Sequence, residues 1–409
     1  MFRGDQLSET SRSWEVDSAR AWSIALAGLI TNATCWGTIF SFGAFLDSMK
    51  KDFGTSLGAT ALIFALPTFV LFVFGVVTGP LADQFGPRRL VLCGAALMGA
   101  GLFITSRAPN LPVAVLAYGL GVGLGVACYL VPVAACVGGW FVRYRAIALG
   151  LSASGIGFGT LLLVPIAEWM IDSFGWRTAY VVLAVACTAS LVLMAAVAAR
   201  PPNAVPAGRL SVSRLRQAAA LGPFAQLYFG GFFLSSSLYV PFVFLVRYAT
   251  DHGISKRSAA LLLSVLGASN ILSRLVTTGL ARRVGAVRMF MACVSLLPLG
   301  FVLWLSSGSS YAALALFAVM LGISHGGYVA LSPEVTAQFF GVANLGTVLG
   351  ALWTASGVAG LFSPVLAGQL IDAAGYSTTI IVAFGAATLA VLVQRTLWTK
   401  ARDLQPVSG

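Results

Sequence analysis

The chain has 409 residues, of which 58% are hydrophobic and only 9% charged, and it carries a formal net charge of +12. With a mean hydropathy of +0.90, it is excluded from ordinary soluble domains and falls among polytopic membrane proteins. The positive charge is read as a topology signal, so no nucleic-acid partner is expected.

A polar tail, residues 1–21, comes first and shows no cleavable signal peptide. Twelve apolar runs follow, at approximately 22–46, 59–82, 90–107, 112–138, 146–171, 177–199, 223–246, 258–281, 288–307, 311–333, 345–371 and 377–395. Each matches the roughly 20 residues needed to cross a bilayer as a helix. Between the sixth and seventh runs lies RPPNAVPAGRLSVSRLRQAAAL, too polar and too basic to span. The expected fold is an all-α polytopic membrane protein of twelve transmembrane helices in two six-helix bundles. These are residues 22–199 and 223–396, with a cytoplasmic linker at 200–222 and a cytoplasmic tail at 397–409. Placing both termini inside puts 17 Lys and Arg on the cytoplasmic side and 7 outside, leaving Arg274 within a span. That bias orients the chain N-in, C-in.

The halves resemble each other at an offset near 199. Gly54 pairs with Gly253, Gly86 with Gly285, Tyr129 with Tyr328, Phe141 with Phe340 and Pro165 with Pro364, and IDSFG at 171–175 pairs with IDAAG at 371–375. A parallel repeat of six helices is the symmetry of transporters whose site lies between the halves at the midplane.

The first span carries a polar stripe, Thr31, Thr34 and Thr38, with Asn32 beside it. Between the second and third spans stands Gly79-Pro80-Leu81-Ala82-Asp83-Gln84-Phe85-Gly86-Pro87-Arg88-Arg89, which resembles the major facilitator signature GxLaDrxGrrr. Glycines there allow a tight turn. Asp83, with Arg88 and Arg89 nearby, is read as a cytoplasmic latch; the other reading is a basic topogenic loop. The second-half counterpart carries Arg282 where Asp83 stands. The stretch opening the fifth span, Trp140-Phe141-Val142-Arg143-Tyr144-Arg145-Ala146-Ile147-Ala148-Leu149-Gly150, resembles the monocarboxylate transporter signature YFxKRRxLAxG. Gly150, Ser154, Gly155 and Gly159 suit close helix packing. That family's other signature, near DGGWGW, survives only as Asp17 and Trp22. The chain thus resembles a divergent, bacterial, inner-membrane member of the monocarboxylate transporter-like family. The six cysteines all fall in apolar spans without metal spacing and are read as packing residues.

Arg274 lies deep in the eighth span, and no acidic residue is near the middle of any span. A guanidinium there costs several kcal/mol unless it meets a partner or a watery cavity. Two readings stand: an anion site for substrate, or an Arg that snorkels or bonds free carbonyls. The family resemblance implies that an Arg on this helix binds substrate carboxylate, with Asp or Asn one turn earlier, here Asn270. Asn270 either faces substrate or bonds a neighbouring helix. Related carriers place Lys or His late in the first span, where this chain has Thr38-Ile39-Phe40-Ser41. His325 is the only histidine inside a span, so it is either the proton carrier or a structural imidazole. Tyr129 and Tyr328 are read as cavity walls or as packing, Thr38 as a lining residue, and Trp353 as a pocket floor.

These features imply a secondary transporter of a small monocarboxylate, with a proton as coupling ion, working by alternating access as a monomer. No cofactor, metal or enzyme activity is expected. Three other readings stay open: an oxalate–formate type exchanger, a drug or metabolite exporter, and a non-transporting anion sensor. A dicarboxylate would want a second buried cation, and the eleventh span offers none.

Overall fold

The computed structural model describes residues 16–198, 216, 219–341 and 345–397. The first span is α1 (Ala19–Phe40) continued by α2 (Phe42–Phe53), interrupted only at Ser41. Next come α3 (Leu57–Phe85), α4 (Pro87–Ser106), α5 (Leu111–Gly139) and α6 (Arg145–Val197). The second half holds α7 (Gly222–Asp251), α8 (Lys256–Val284), α9 (Ala286–Ser307), α10 (Tyr311–Phe340) and α11 (Leu345–Gln394). Among the described residues, ten helices are long and apolar enough to cross a membrane. Two of them, α6 with 53 residues and α11 with 50, are too long to be single rods. At 1.5 Å per residue they would reach about 75–80 Å, against a hydrocarbon core of about 30 Å. Each folds at one non-helical glycine, Gly175 (φ 80°) and Gly375 (φ 80°). Counted as pairs, they complete the twelve expected spans. Most of the linker at 200–222 lies outside the described residues, as do residues 1–15 and 398–409 of the tails.

Helix starts follow ordinary capping chemistry. Ser56, Asn110, Ser255 and Ser310 each accept a hydrogen bond from the backbone N–H three residues on. Such caps satisfy donors that the first turn leaves open. The repeat is visible in the backbone too. Gly54 and Gly253, Gly86 and Gly285, and Gly175 and Gly375 all have positive φ. That region favours glycine, so the paired glycines mark equivalent turns.

In the first half α1 packs on α6, α3 on α5, and α4 on both α5 and α6; in the second half α7 packs on α11, α8 on α10, and α9 on both α10 and α11. The halves meet along two long seams, α6 with α8 and α3 with α11, and a short one, α2 with α7. Small residues set how close these helices come. A Cβ on Gly159 would lie 2.1 Å from the Ala33 carbonyl oxygen in α1. On Gly267 it would lie 2.7 Å from both the Gly157 oxygen and the Leu161 nitrogen across the α6–α8 seam. Gly155 and Gly159 thus pack closely as expected. Gly150 does not: a Cβ there meets nothing within 4 Å.

One end of the molecule, where α2 turns into α3, is latched across the halves. Asp47 pairs with Arg247, Lys256 Nζ lies 3.5 Å from Asp172 Oδ1, and the Leu57 N–H donates to Asp372 Oδ2 at 2.9 Å. Phe40 stacks on Phe242 at 4.4 Å between centroids, and a Cβ on Gly43 would meet the Phe242 carbonyl at 2.9 Å. The ion pairs are partly exposed, so each is worth about 1 kcal/mol or less. Ring stacking and backbone contact therefore hold this end more than charge does.

The two motif remnants form one object. Asp17, with φ 56°, accepts from the backbone N–H groups of Val142 (3.4 Å), Arg143 (3.0 Å) and Tyr144 (3.3 Å), and its own N–H donates to the Trp140 carbonyl at 3.1 Å. Trp22 sets its ring edge-on to Phe141 at 5.0 Å. A carboxylate on three open donors at a helix start is favoured by both hydrogen bonding and the helix dipole. Arg143 and Arg145 are exposed beside it.

Two stability predictions follow from this packing. Asp17→Ala should lower the melting temperature of the purified protein, by a loss of about 1–2 kcal/mol expected of a helix cap. Asp17→Asn should recover part of it. Gly267→Leu should cost more than Gly279→Ala, because a Cβ at Gly279 meets open space. Overpacking of this kind costs about 1–3 kcal/mol, and thermal melting of the two variants in one detergent measures the difference.

Candidate functional site

Arg274 sits on α8 and is buried, with 9% of its surface exposed. Its Nε donates to Asn270 Oδ1 at 2.9 Å, one turn earlier on the same helix. Its Nη1 donates to the Ala153 carbonyl at 3.2 Å, on α6 in the other half. Nη2 has no hydrogen-bond partner among the described residues. None of the ion pairs involves Arg274. The one buried carboxylate among the described residues, Glu168, belongs instead to the latched end with Asp172 and Lys256. Among the described residues this buried guanidinium has an open donor and no counter-charge, and each missing partner carries a desolvation cost.

The chain of contacts continues from Asn270. Its Nδ2 lies 2.9 Å from His325 Nδ1 on α10. The helices are close enough for this because Gly322 and Gly326 lack side chains. A Cβ on Gly326 would lie 2.6 Å from the Asn270 backbone carbonyl oxygen, and one on Gly322 would lie 2.4 Å from that of Leu266. Two aromatic rings cap the histidine: Phe242 edge-on at 5.4 Å and Phe40 edge-on at 6.2 Å. As Phe40 and Phe242 are themselves the stacked pair between the halves, the latched end closes directly on the His325 ring.

Arg274, Asn270 and His325 are thus brought together. Tyr328, one turn along α10, is set apart from them. It packs against Phe290 at 5.7 Å and lines a cavity of about 20 Å³ with Ser332, Thr336 and Trp353. That volume holds about one water and not an organic acid. Tyr129 is fully buried inside the first half, beside Cys35. Thr38 is also buried there, donating to the Thr34 carbonyl at 2.8 Å and lying 3.3 Å from Cys187 Sγ. Thr31 donates to the Ser190 carbonyl and Asn32 to those of Gly28 and Ser152. The polar stripe of the first span therefore ties helices of one half together, and the structure does not bring Tyr129 or Thr38 to Arg274. Gly86 forms the turn between α3 and α4, and Arg88 and Arg89 are exposed after it. Gly79 and the Asp83 side chain lie outside the described residues.

Sequence reasoning missed three participants: Phe40, Phe242 and the Ala153 carbonyl. Phe40 stands where a base was sought. Phe242 carried no signal of its own among the many phenylalanines of the apolar spans.

The major facilitator superfamily pattern matches residues 25–223 and 227–408. An MFS-type transporter of Gibberella moniliformis is 30% identical over 94% of this chain and 92% of its own length. Monocarboxylate transporter 3 of Rattus norvegicus is 29% identical over 87% of this chain and 75% of its own length. These relatives are fungal and animal, which gives the expected bacterial origin no support. Among solved structures, a bacterial homologue of the human lysosomal transporter spinster superposes with a TM-score of 0.74 at 14% identity, covering 94% of this chain and 98% of that one. At such identity the likeness speaks for the fold alone. With the pattern spanning nearly the whole chain and twelve spans in two bundles, the chain belongs to the major facilitator superfamily, as a secondary transporter and not an enzyme.

Proposed function

We propose that this protein carries a small monocarboxylate anion across the plasma membrane, with a proton, by alternating access. Arg274 would bind the carboxylate, and the observation that carries this is its buried guanidinium with one open donor and no ion pair among the described residues. Planar guanidinium and planar carboxylate fit through two parallel hydrogen bonds. One buried cation suits one carboxylate; a second negative charge would stay uncompensated in a low-dielectric site. Relatives named monocarboxylate transporters, at 27–30% identity, support the same substrate class.

In this reading both termini are cytoplasmic and the latched end faces outside. Residues 22–199 and 223–396 rock as two bundles about the α6–α8 and α3–α11 seams, joined by the 200–222 linker. Arg274 bridges those bundles through Ala153, so anion binding and bundle contact share one guanidinium. Asp83 with Gly79, Gly86, Arg88 and Arg89 would form the latch at the opposite, cytoplasmic end. Tyr328 would wall the cytoplasmic path below the site.

The test is uptake by proteoliposomes of labelled monocarboxylates, with oxalate and succinate as dicarboxylate controls. Arg274→Ala should abolish specific uptake. Arg274→Lys, which keeps the charge and loses the fork, should transport at least tenfold less well, the order of one charge-assisted hydrogen bond. Wild-type rates in a folded Arg274→Ala protein, or stronger uptake of oxalate than of lactate, would overturn the assignment.

A further inference from the structure

We propose that the Asn270 side-chain amide is a relay whose orientation makes proton binding at His325 and anion binding at Arg274 depend on each other. The inference rests on the monocarboxylate reading above and adds how the site couples the two cargoes.

The argument starts from donors and acceptors. Arg274 Nε can only donate, so the Asn270 atom facing it at 2.9 Å is the oxygen. That sends the amide NH₂ to His325 Nδ1, also at 2.9 Å. An NH₂ can only donate, so Nδ1 accepts, and the imidazole is neutral with its hydrogen on Nε2. All hydrogen bonds in the chain run one way, from Arg274 to Asn270 to His325.

Now add a proton at Nδ1. His325 then presents N–H to the amide NH₂, and two donors face each other. Separating the helices to relieve this would break the close backbone contact of α10 with α8 at Gly322 and Gly326, where there is no room for a Cβ. The ring is flanked edge-on by Phe40 and Phe242. What remains is for the amide to turn over, giving its oxygen to His325 and its NH₂ to Arg274. The guanidinium then loses its acceptor at Nε, where two donors now face each other beside the already open Nη2, so the turned state holds only when an anion's oxygens come between them and accept from both sides. Nε–H and Nη2–H point along one edge of the guanidinium, and a carboxylate spans that edge with its two oxygens. Read in reverse, a carboxylate on that edge displaces the Asn270 oxygen, which is then free to turn and accept from a protonated His325.

Charge acts in the same direction. The groups facing His325 are Arg274 and Asn270 from α8, Phe40 from α1 and Phe242 from α7, with Tyr328 one turn along its own helix. Arg274 is the charged one, and it is positive. A second positive charge beside it in a buried site is unfavourable until an anion neutralises the first. In each cycle the proton passes from water on the open side to Nδ1 and returns to water on the other side. Nε2 keeps its hydrogen throughout, and no other bond is made or broken. Binding linkage is reciprocal, so whatever the proton does for the anion the anion does for the proton.

The experiment is equilibrium binding of L-lactate to the purified full-length protein between pH 5 and 8, with proton uptake followed by a dye in weak buffer. The wild type should bind lactate more weakly as pH rises, approaching about tenfold per pH unit above the midpoint, and should take up about one proton per anion. His325→Gln, which keeps an acceptor for Asn270, should bind with pH-independent affinity and take up no proton. Asn270→Leu, which leaves both His325 and Arg274 in place, should lose most of the pH dependence and keep only the part that charge supplies. A full wild-type slope in folded Asn270→Leu would mean that bare electrostatics couples the two sites, and would overturn the relay. Trifluoroacetate, too strong an acid to carry the proton itself, should show the same midpoint as lactate. A midpoint that follows acid strength puts the proton on the substrate and also overturns it. If the wild type binds lactate through Arg274 with no pH dependence, the relay falls while the monocarboxylate reading stands. If no monocarboxylate binds and Arg274→Ala behaves as the wild type does, both fall.

Discussion

A single unneutralised charge inside an apolar bundle is the constraint on which this structure turns. Arg274 cannot ionise away its cost, because a guanidinium stays protonated. It cannot reach solvent from a position with 9% exposure, and no described carboxylate answers it. The fold compensates only in part, with one side-chain oxygen and one borrowed carbonyl. That carbonyl belongs to the opposite half. This unmet electrostatic demand therefore sits on the boundary between the two halves.

Around that point the packing is arranged to hold position without side-chain bulk. Glycines at 157, 267, 322 and 326 let α8 lie against α6 on one side and α10 on the other. Helices this close fix distances between polar groups well, because backbone has nowhere to go. The aromatic pair Phe40 and Phe242 does a different task. It covers one side of the His325 ring with contacts that come from both halves.

The fold was legible in the sequence, since twelve apolar runs and the paired glycines leave few alternatives. The two long hairpins were legible for the same reason: Gly175 and Gly375 stand at equivalent places in the repeat. Arg274 and Asn270 were legible because a charge and an amide four apart on an apolar helix are conspicuous. His325 was found by its scarcity. The remainder depended on which way faces turn. The threonine stripe on the first span has the polarity of a lining, yet its members bond Ser190 and Cys187 within one half. Tyr129 and Tyr328 are equivalent by repeat, but one is sealed against Cys35 and the other borders a cavity. Periodicity says that a face is polar; only packing says what it meets. A backbone carbonyl such as that of Ala153 leaves no trace in side-chain identity at all.

The hairpin glycines have a mechanical consequence. The helix that forms the first arm of α6 lies on the α6–α8 seam, and the first arm of α11 lies against α3 on the other seam. Each is joined to its second arm through a single non-helical residue, with no loop between. A joint that short has almost no slack. Displacement of a seam helix is transmitted at once to its outer neighbour, so neither can slide past the other. In the rocking proposed above, each half would then respond as a stiff lever, with the give confined to the seams themselves.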